Sequence, residues 1–102
     1  MIVVRVACSD PRKAAERQRL IEAHKAYLRS GGVRILQSGP LTGSSVSGGL
    51  VVAEVGAVEE FVAFSDGDPF VLHGVYDDVR IFEWTVTLGS IARSDGAERR
   101  VG

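Results

Sequence analysis

Two residues that lie far apart in the chain carry side chains suited to proton transfer, and one of them is an aspartate in a short turn. Asp68 directly precedes Pro69 and Phe70. Pro69 fixes its own φ angle and keeps Asp68 out of the α region, so the carboxylate is held at a defined position. Such an acid could take part in catalysis. On this stretch alone a helix cap is the simpler interpretation, because aspartate before an N1 proline commonly starts a helix.

The other residue is His24, which lies four positions after Leu20 and four before Leu28. This spacing places the ring on the apolar stripe of a predicted helix, facing whatever the helix packs against. Histidine titrates near neutrality, which suits a general acid or a general base. A hydrogen-bonded core histidine is the simpler interpretation of His24 alone. The second histidine, His73, is predicted to lie in a turn or on the surface.

The remaining polar positions give weaker signals. Ser38 and the backbone around Gly39 could donate hydrogen bonds to a substrate, and Pro40 is predicted to take the chain out of the sheet. The Gly- and Ser-rich segment 41–49 is predicted to be a mobile loop or hairpin connection. It lacks the glycine spacing and the following helix of a phosphate-binding loop. Cys8, the single cysteine, is interpreted as a small buried hydrophobe, and no metal-ligand cluster is expected.

Length and charge exclude several classes of partner. The chain has 102 residues, which is enough for a single domain. Its 13 acidic and 12 basic residues nearly cancel, so no strong field would recruit nucleic acid or an anionic membrane. The first residues read directly into a strand, without a leader pattern, and no apolar run is long enough for a membrane span. We expect a cytoplasmic protein with neither nucleic acid nor membrane as a partner.

Hydrophobic periodicity predicts the elements that must position His24 and Asp68. One helix is predicted to start at Asp10-Pro11 and end at Gly31-Gly32, and another spans 58–64. Strands are predicted at 2–8, 33–38, 50–55 and 79–88. This order is typical of the ferredoxin-like α+β fold, a βαββαβ arrangement with helices on one face of an antiparallel sheet. Residues 1–88 are predicted to form this domain, and 89–102 a flexible tail.

The predicted strands carry apolar residues on both of their faces, whereas the helices can cover only one. An apolar sheet face left in water would form a patch of a size that monomers rarely expose. We therefore expect a symmetric homodimer through the uncovered face. The two faces are predicted to separate Val3, Ala7, Phe82 and Trp84 from Ile2, Val4 and Ile81.

An ordered set of motifs over residues 1–88 resembles the YCII-related (YciI-like) family. The set comprises the first strand, the helical His24, Ser38-Gly39-Pro40-Leu41, the strand at 49–54, and Asp68-Pro69-Phe70 followed by Gly74-Val75-Tyr76. The resemblance implies a dimeric α/β barrel in which His24 and Asp68 form the active-site pair. We expect the substrate to contact Ser38, Gly39, Pro40 and Phe70.

Two functional hypotheses follow. The first is a lyase or isomerase that acts on a small organic substrate without a metal or organic cofactor, as the family's dehydrochlorinase precedent implies. The second is a non-catalytic dimeric module that binds a metabolite or another protein through the same pocket. Contact between His24 and Asp68, in a pocket open to solvent, would favour the first. The Gly- and Ser-rich loop and the tail depart from the family pattern.

Overall fold

The computed structural model describes residues 1–43 and 47–89. The strands are β1 (Ile2–Ser9), β2 (Arg34–Thr42), β3 (Ser47–Glu54) and β4 (Tyr76–Glu83). The helices are α1 (Ala14–Leu28), α2 (Val58–Asp66) and the short α3 (Pro69–Leu72), and a 3-10 turn (Pro11–Lys13) leads into α1. The predicted tail, apart from residue 89, lies outside the described residues, as does part of the loop at 41–49.

The four strands form one antiparallel sheet in the order β2-β3-β1-β4. β1 pairs with β3 on one side and with β4 on the other, and among the strands described here β2 pairs with β3 alone. Both β1 and β2 are antiparallel to β3, so they run in the same direction, as a crossover through α1 requires. The predicted ferredoxin-like α+β fold is confirmed.

The helices cover one face of the sheet and bury two apolar clusters against it. One cluster joins Val3, Val51 and Ala53 of the sheet to Phe61 and Phe64 of α2. The other lies at the opposite end of the strands and contains Ala7, Leu20, Phe70, Val75 and Tyr76. α1 contributes to both, because Tyr27 and Leu28 pack on the first cluster and Leu20 and Ile21 on the second.

The start of the first helix is predicted correctly, but its end is not. Asp10 accepts a hydrogen bond from the backbone N–H of Arg12, and Pro11 follows it as expected for a cap. α1 ends earlier than predicted, with Arg29 as its C-cap. Gly31 lies beyond that cap and has a φ of 88°. Its role is therefore to turn the chain toward β2 in a conformation that favours glycine.

The prediction that the chain leaves the sheet at Gly39-Pro40 is wrong. β2 continues to Thr42, with Gly39 opposite Leu50 and Pro40 opposite Gly49. A proline is tolerated here because β2 is an edge strand, where a missing N–H breaks no ladder on the outer side. β3 correspondingly begins at Ser47, three residues before its predicted start. Of the segment 41–49, residues 41–42 and 47–49 therefore lie in paired strands, as the predicted alternative of a hairpin connection requires.

The fourth strand is shifted toward the N-terminus relative to its prediction. It spans Tyr76–Glu83 rather than 79–88. The strand pairs only with β1, from Val3↔Glu83 to Ser9↔Tyr76. Pairing stops near Glu83 because β1 itself begins at Ile2, so the apolar residues just beyond have no partner strand among the described residues. The backbone N–H of Trp84 makes one hydrogen bond beyond the strand, by donating to the carbonyl of Ile2.

The register also corrects the predicted grouping of residues by sheet face. Ile81 lies opposite Arg5 on the helix-covered face, whereas Phe82 lies opposite Val4 on the outer face. Phe82 therefore belongs with Val4 rather than with Val3 and Ala7. Cys8, predicted to be buried, is half-buried.

Candidate active site

Asp68 is both the helix cap and the acid of a buried pair, so its two interpretations are compatible. It is the N-cap of α3, and its Oδ1 accepts a hydrogen bond of 2.9 Å from the backbone N–H of Phe70. The same oxygen lies 2.8 Å from Nδ1 of His24. The other oxygen, Oδ2, lies 2.9 Å from Nη2 of Arg5. The carboxylate is thus held by contacts from β1, α1 and α3, and Asp68 is fully buried.

Arg5 is the residue of this cluster that the sequence analysis missed. It is fully buried on β1, and its Nη1 donates a hydrogen bond of 3.1 Å to Oγ of Ser65. Its contact with Asp68 is an ion pair without the alignment of a hydrogen bond, and its Nε finds no hydrogen-bond partner in the part of the chain that the structure describes. One signal could have identified Arg5, because it alternates with Val3 and Ala7, which face the core.

His24 is held in one orientation by three side chains. Its ring stacks on Phe70, with centroids 4.0 Å apart and planes within 4°, and meets Tyr76 edge-on at 6.2 Å. Since a carboxylate only accepts hydrogen bonds, the contact with Asp68 assigns the proton of a neutral ring to Nδ1. Nε2 then carries the free lone pair. His24 also lines a cleft, and a ring nitrogen with a free lone pair can act as a general base.

Two of the buried groups, Asp68 and Tyr76, have pKa values that are shifted in opposite directions. Burial raises the pKa of Asp68, but hydrogen bonds from His24 and from the Phe70 amide, with the charge of Arg5, outweigh it and lower the pKa below its usual value. Asp68 is therefore a carboxylate at neutral pH. Burial raises the pKa of Tyr76 above its usual value. Its hydroxyl is therefore a neutral hydrogen-bond donor throughout the physiological range.

The cleft lies between α1 and the β2–β3 hairpin, with Tyr76 of β4 beside it, and has a volume of about 560 Å³. We call it the α1 cleft. Its lining residues are Arg17, Ile21, His24, Lys25, Leu28, Arg29, Ser38, Gly39, Pro40, Gly48, Gly49, Leu50, Val51 and Tyr76. The structure therefore brings Ser38, Gly39 and Pro40 to the same cleft as His24. Phe70 does not line it, because this side chain is fully buried and stacked on His24.

Tyr76 is the second functional candidate that the sequence analysis missed, and it depends on a glycine in β3. A Cβ atom on Gly49 would lie 2.7 Å from the Tyr76 hydroxyl oxygen, closer than real contacts allow. Glycine at this position leaves room for the hydroxyl at the wall of the cleft. Neither residue could be assigned this role from the sequence, because the sheet order and register decide that the Tyr76 side chain reaches Gly49.

Nothing in the described part of the chain resembles a metal centre. In residues 1–43 and 47–89, no three His, Cys, Asp or Glu side chains are grouped so as to hold a metal ion. Across the same residues, no helix is long and apolar enough to cross a membrane. His73, as predicted, is exposed and caps the end of α3.

Solved structures with the same fold include those of a dehydrochlorinase and of the protein MhuD. The 5-chloro-2-hydroxyhydroquinone dehydrochlorinase TftG of Burkholderia phenoliruptrix, solved with 2,5-dihydroxybenzoquinone, is 23% identical, with a TM-score of 0.75 over 83% of this chain and 94% of that one. A mutant of MhuD with two manganese protoporphyrin IX molecules per active site is 20% identical, with a TM-score of 0.50 over 88% of this chain and 100% of that one. At these identities the likeness shows the fold alone.

The sequence itself is matched by a family model. No curated protein sequence matches it. The model of the YCII-related domain matches residues 1–85, a span that contains every described strand and helix and the residues that line the α1 cleft. The chain therefore belongs to the YCII-related domain family.

Proposed function

We propose that the protein is a small-molecule enzyme in which His24 and Asp68 act as one proton-transfer unit. The observation that carries the proposal is the 2.8 Å contact between His24 Nδ1 and Asp68 Oδ1, made by a ring that lines a cleft. A buried carboxylate behind an imidazole fixes its tautomer and stabilises the imidazolium that forms when the ring accepts a proton.

The chemistry that this arrangement supports is abstraction and return of a proton. Nε2 of His24 takes a proton from the substrate, Asp68 stabilises the resulting charge, and the proton then returns to another atom of the substrate or to solvent. Tyr76 can donate a hydrogen bond to the substrate oxygen that gains negative charge. An isomerase returns the proton to the substrate, whereas a lyase expels a leaving group with its electron pair.

Elimination of chloride is a specific form of this reaction. It is a reasonable first test, because a solved structure with the same fold is that of a dehydrochlorinase. The cleft has a volume within the usual range for small-molecule sites, about 300–1,000 Å³. A single substituted ring therefore fits its size. The proposed chemistry requires neither a metal nor an organic cofactor.

The proposal is tested by proton exchange, because exchange reports the abstraction step without requiring the natural substrate. We expect the protein, pretreated with EDTA, to accelerate deuterium incorporation at the ring carbons of 2,5-dihydroxybenzoquinone in D₂O, followed by loss of the proton NMR signal. Chloride release from 5-chloro-2-hydroxyhydroquinone is the matching elimination assay. Binding of the quinone in the cleft with no acceleration of either reaction would instead favour the non-catalytic binding module.

We also propose that the protein is a homodimer that pairs through the outer face of the sheet. Val4 and Phe82 lie opposite each other on that face, and Val6 lies opposite Leu50. Phe82 is 52% exposed, and Trp84, just beyond the strand, is 43% exposed. Aromatic and aliphatic side chains exposed together on a sheet are typical of a surface that a second copy covers.

Sedimentation equilibrium at micromolar concentration should therefore give twice the chain mass of 10.9 kDa. Phe82→Glu is expected to shift the protein to monomer, because it places two charges at the centre of a symmetric apolar contact. Leu72→Glu is the matched control, since Leu72 is an exposed apolar residue of α3, on the helical side of the molecule. A wild-type protein that remains monomeric would contradict the proposed dimer.

A further inference from the structure

The α1 cleft is positively charged, although the chain as a whole carries a net charge of −1. Three basic residues line it, Arg17, Lys25 and Arg29, all from α1 or its cap. None of the described residues that line it is Asp or Glu. Asp68, the acid behind His24, is fully buried and already paired with Arg5 and His24.

Of the three basic residues, Arg17 is the one placed to act beside His24. Lys25 lies 3.8 Å from Glu22, which offsets part of its charge. Within residues 1–43 and 47–89, neither Arg17 nor Arg29 forms an ion pair. Arg17 and His24 are seven positions apart on α1, so they share one helix face.

The contacts of Arg17 show that its charge lies at the end of the cleft near His24. Its guanidinium carbon lies 5.5 Å from the centre of the Phe70 ring, and His24 stacks on that same ring. The charge of Arg17 also counters part of the rise in the pKa of Tyr76. The Nε atom of Arg17 is buried and has no hydrogen-bond partner among the described residues. Because Nε is closed off by the protein, a ligand in the cleft would pair with the terminal nitrogens of the guanidinium.

We propose that the α1 cleft binds a small organic oxyanion and that Arg17 is the residue that holds its charge. The ligand class is a planar carboxylate or enolate of about single-ring size, with one oxygen on Arg17 and a neighbouring oxygen on the Tyr76 hydroxyl. A guanidinium suits such groups, because it is always charged and its N–H donors form charge-assisted hydrogen bonds with carboxylate or enolate oxygens. The inference deepens the proposed function, because it assigns the charge class of the substrate of the same site.

Arg17 could instead serve only to cover Phe70 through its cation–π contact. A purely covering role needs no anion, and it predicts that ligands of either charge bind equally. The oxyanion site predicts a preference for the charged member of an isosteric pair. Benzoate and benzamide form such a pair, because they differ in charge but hardly in shape.

The test is a titration of the full-length protein with benzoate and benzamide, followed by amide shifts of the cleft residues in ¹H–¹⁵N NMR spectra. We expect benzoate to bind about tenfold or more tightly than benzamide, as a charge-assisted hydrogen bond implies. Arg17→Gln should remove this preference, and Arg17→Lys should keep part of it. Added salt should weaken the binding of benzoate and leave that of benzamide nearly unchanged.

Arg19→Gln is the matched control, because Arg19 lies on the same helix, pairs with Glu16 and is absent from the cleft. It should leave the preference for benzoate unchanged. Equal binding of the two probes, a preference that survives Arg17→Gln, or no benzoate-dependent shift at the cleft would each overturn the oxyanion site.

The outcome can be separated from that of the proton-transfer proposal. A benzoate preference that depends on Arg17, in a protein that accelerates no exchange, would leave the oxyanion site standing and remove the catalytic role of His24. Proton exchange that depends on His24, in a protein with no preference for benzoate, would support the catalytic role of His24 and overturn the oxyanion site.

Discussion

Asp68→Asn is expected to lower the free energy of unfolding by about 3–5 kcal/mol, because it leaves the charge of Arg5 buried without its carboxylate partner. Asparagine keeps an oxygen for the Phe70 amide, so the α3 cap survives. The loss should therefore come from the uncompensated guanidinium rather than from the helix start. Urea unfolding followed by circular dichroism measures it.

Two further variants assign this loss to the ion pair. In the double variant Arg5→Met with Asp68→Asn, most of the lost stability should return, since removing both charges avoids leaving one of them buried. Asp66→Asn is the matched control, because Asp66 is an exposed acid two positions upstream, and it should change the stability little. A loss below about 1 kcal/mol for Asp68→Asn would mean that the buried charges are not coupled as the geometry implies.

Asp68 also makes the stability of the protein depend on pH in the acid range. The pKa of Asp68 is lower in the folded protein than its ordinary value, so the folded state binds this proton less readily than the unfolded chain. Its contribution to stability is therefore complete above about pH 5 and is lost as the pH falls through about 4 and below. Asp68→Asn should flatten this part of the stability profile.

His24→Gln is expected to reduce the rate of proton exchange or chloride release by about 100- to 10,000-fold, the usual contribution of a general acid or base. Glutamine can still donate to Asp68 and fill much of the space of the ring, but it has no nitrogen that accepts a proton near neutral pH. The variant therefore removes the proton acceptor while preserving the polar contact. Initial rates at saturating probe concentration measure the effect.

His73→Gln is the matched control, since His73 is the other histidine of the chain and is exposed at the end of α3. It should retain the wild-type rate. His24→Gln and Asp68→Asn should give losses that are far from additive, because both residues serve one step. Full turnover by a folded His24→Gln protein would show that the pair is structural and would favour the binding module.

Local patterns in the sequence determined the elements and the inward direction of His24. The strands follow from β-branched runs, and α1 follows from an apolar stripe with His24 between Leu20 and Leu28. The Asp68-Pro69 pair predicts its own helix start. Each of these features depends on residues within a few positions along the chain, and for that reason the sequence alone predicts them.

Only the tertiary structure decided which residues meet. His24 and Asp68 are 44 positions apart, and neither residue's own neighbours indicate the other; their pairing was expected only through the family resemblance. The buried Arg5, the approach of Tyr76 to Gly49 and the passage of β2 through Pro40 all depend on strand order and register. Register is set by the packing of a whole sheet face rather than by any single strand. The positively charged α1 cleft also depends on the tertiary structure, because the cleft forms only where α1 lies beside the β2–β3 hairpin.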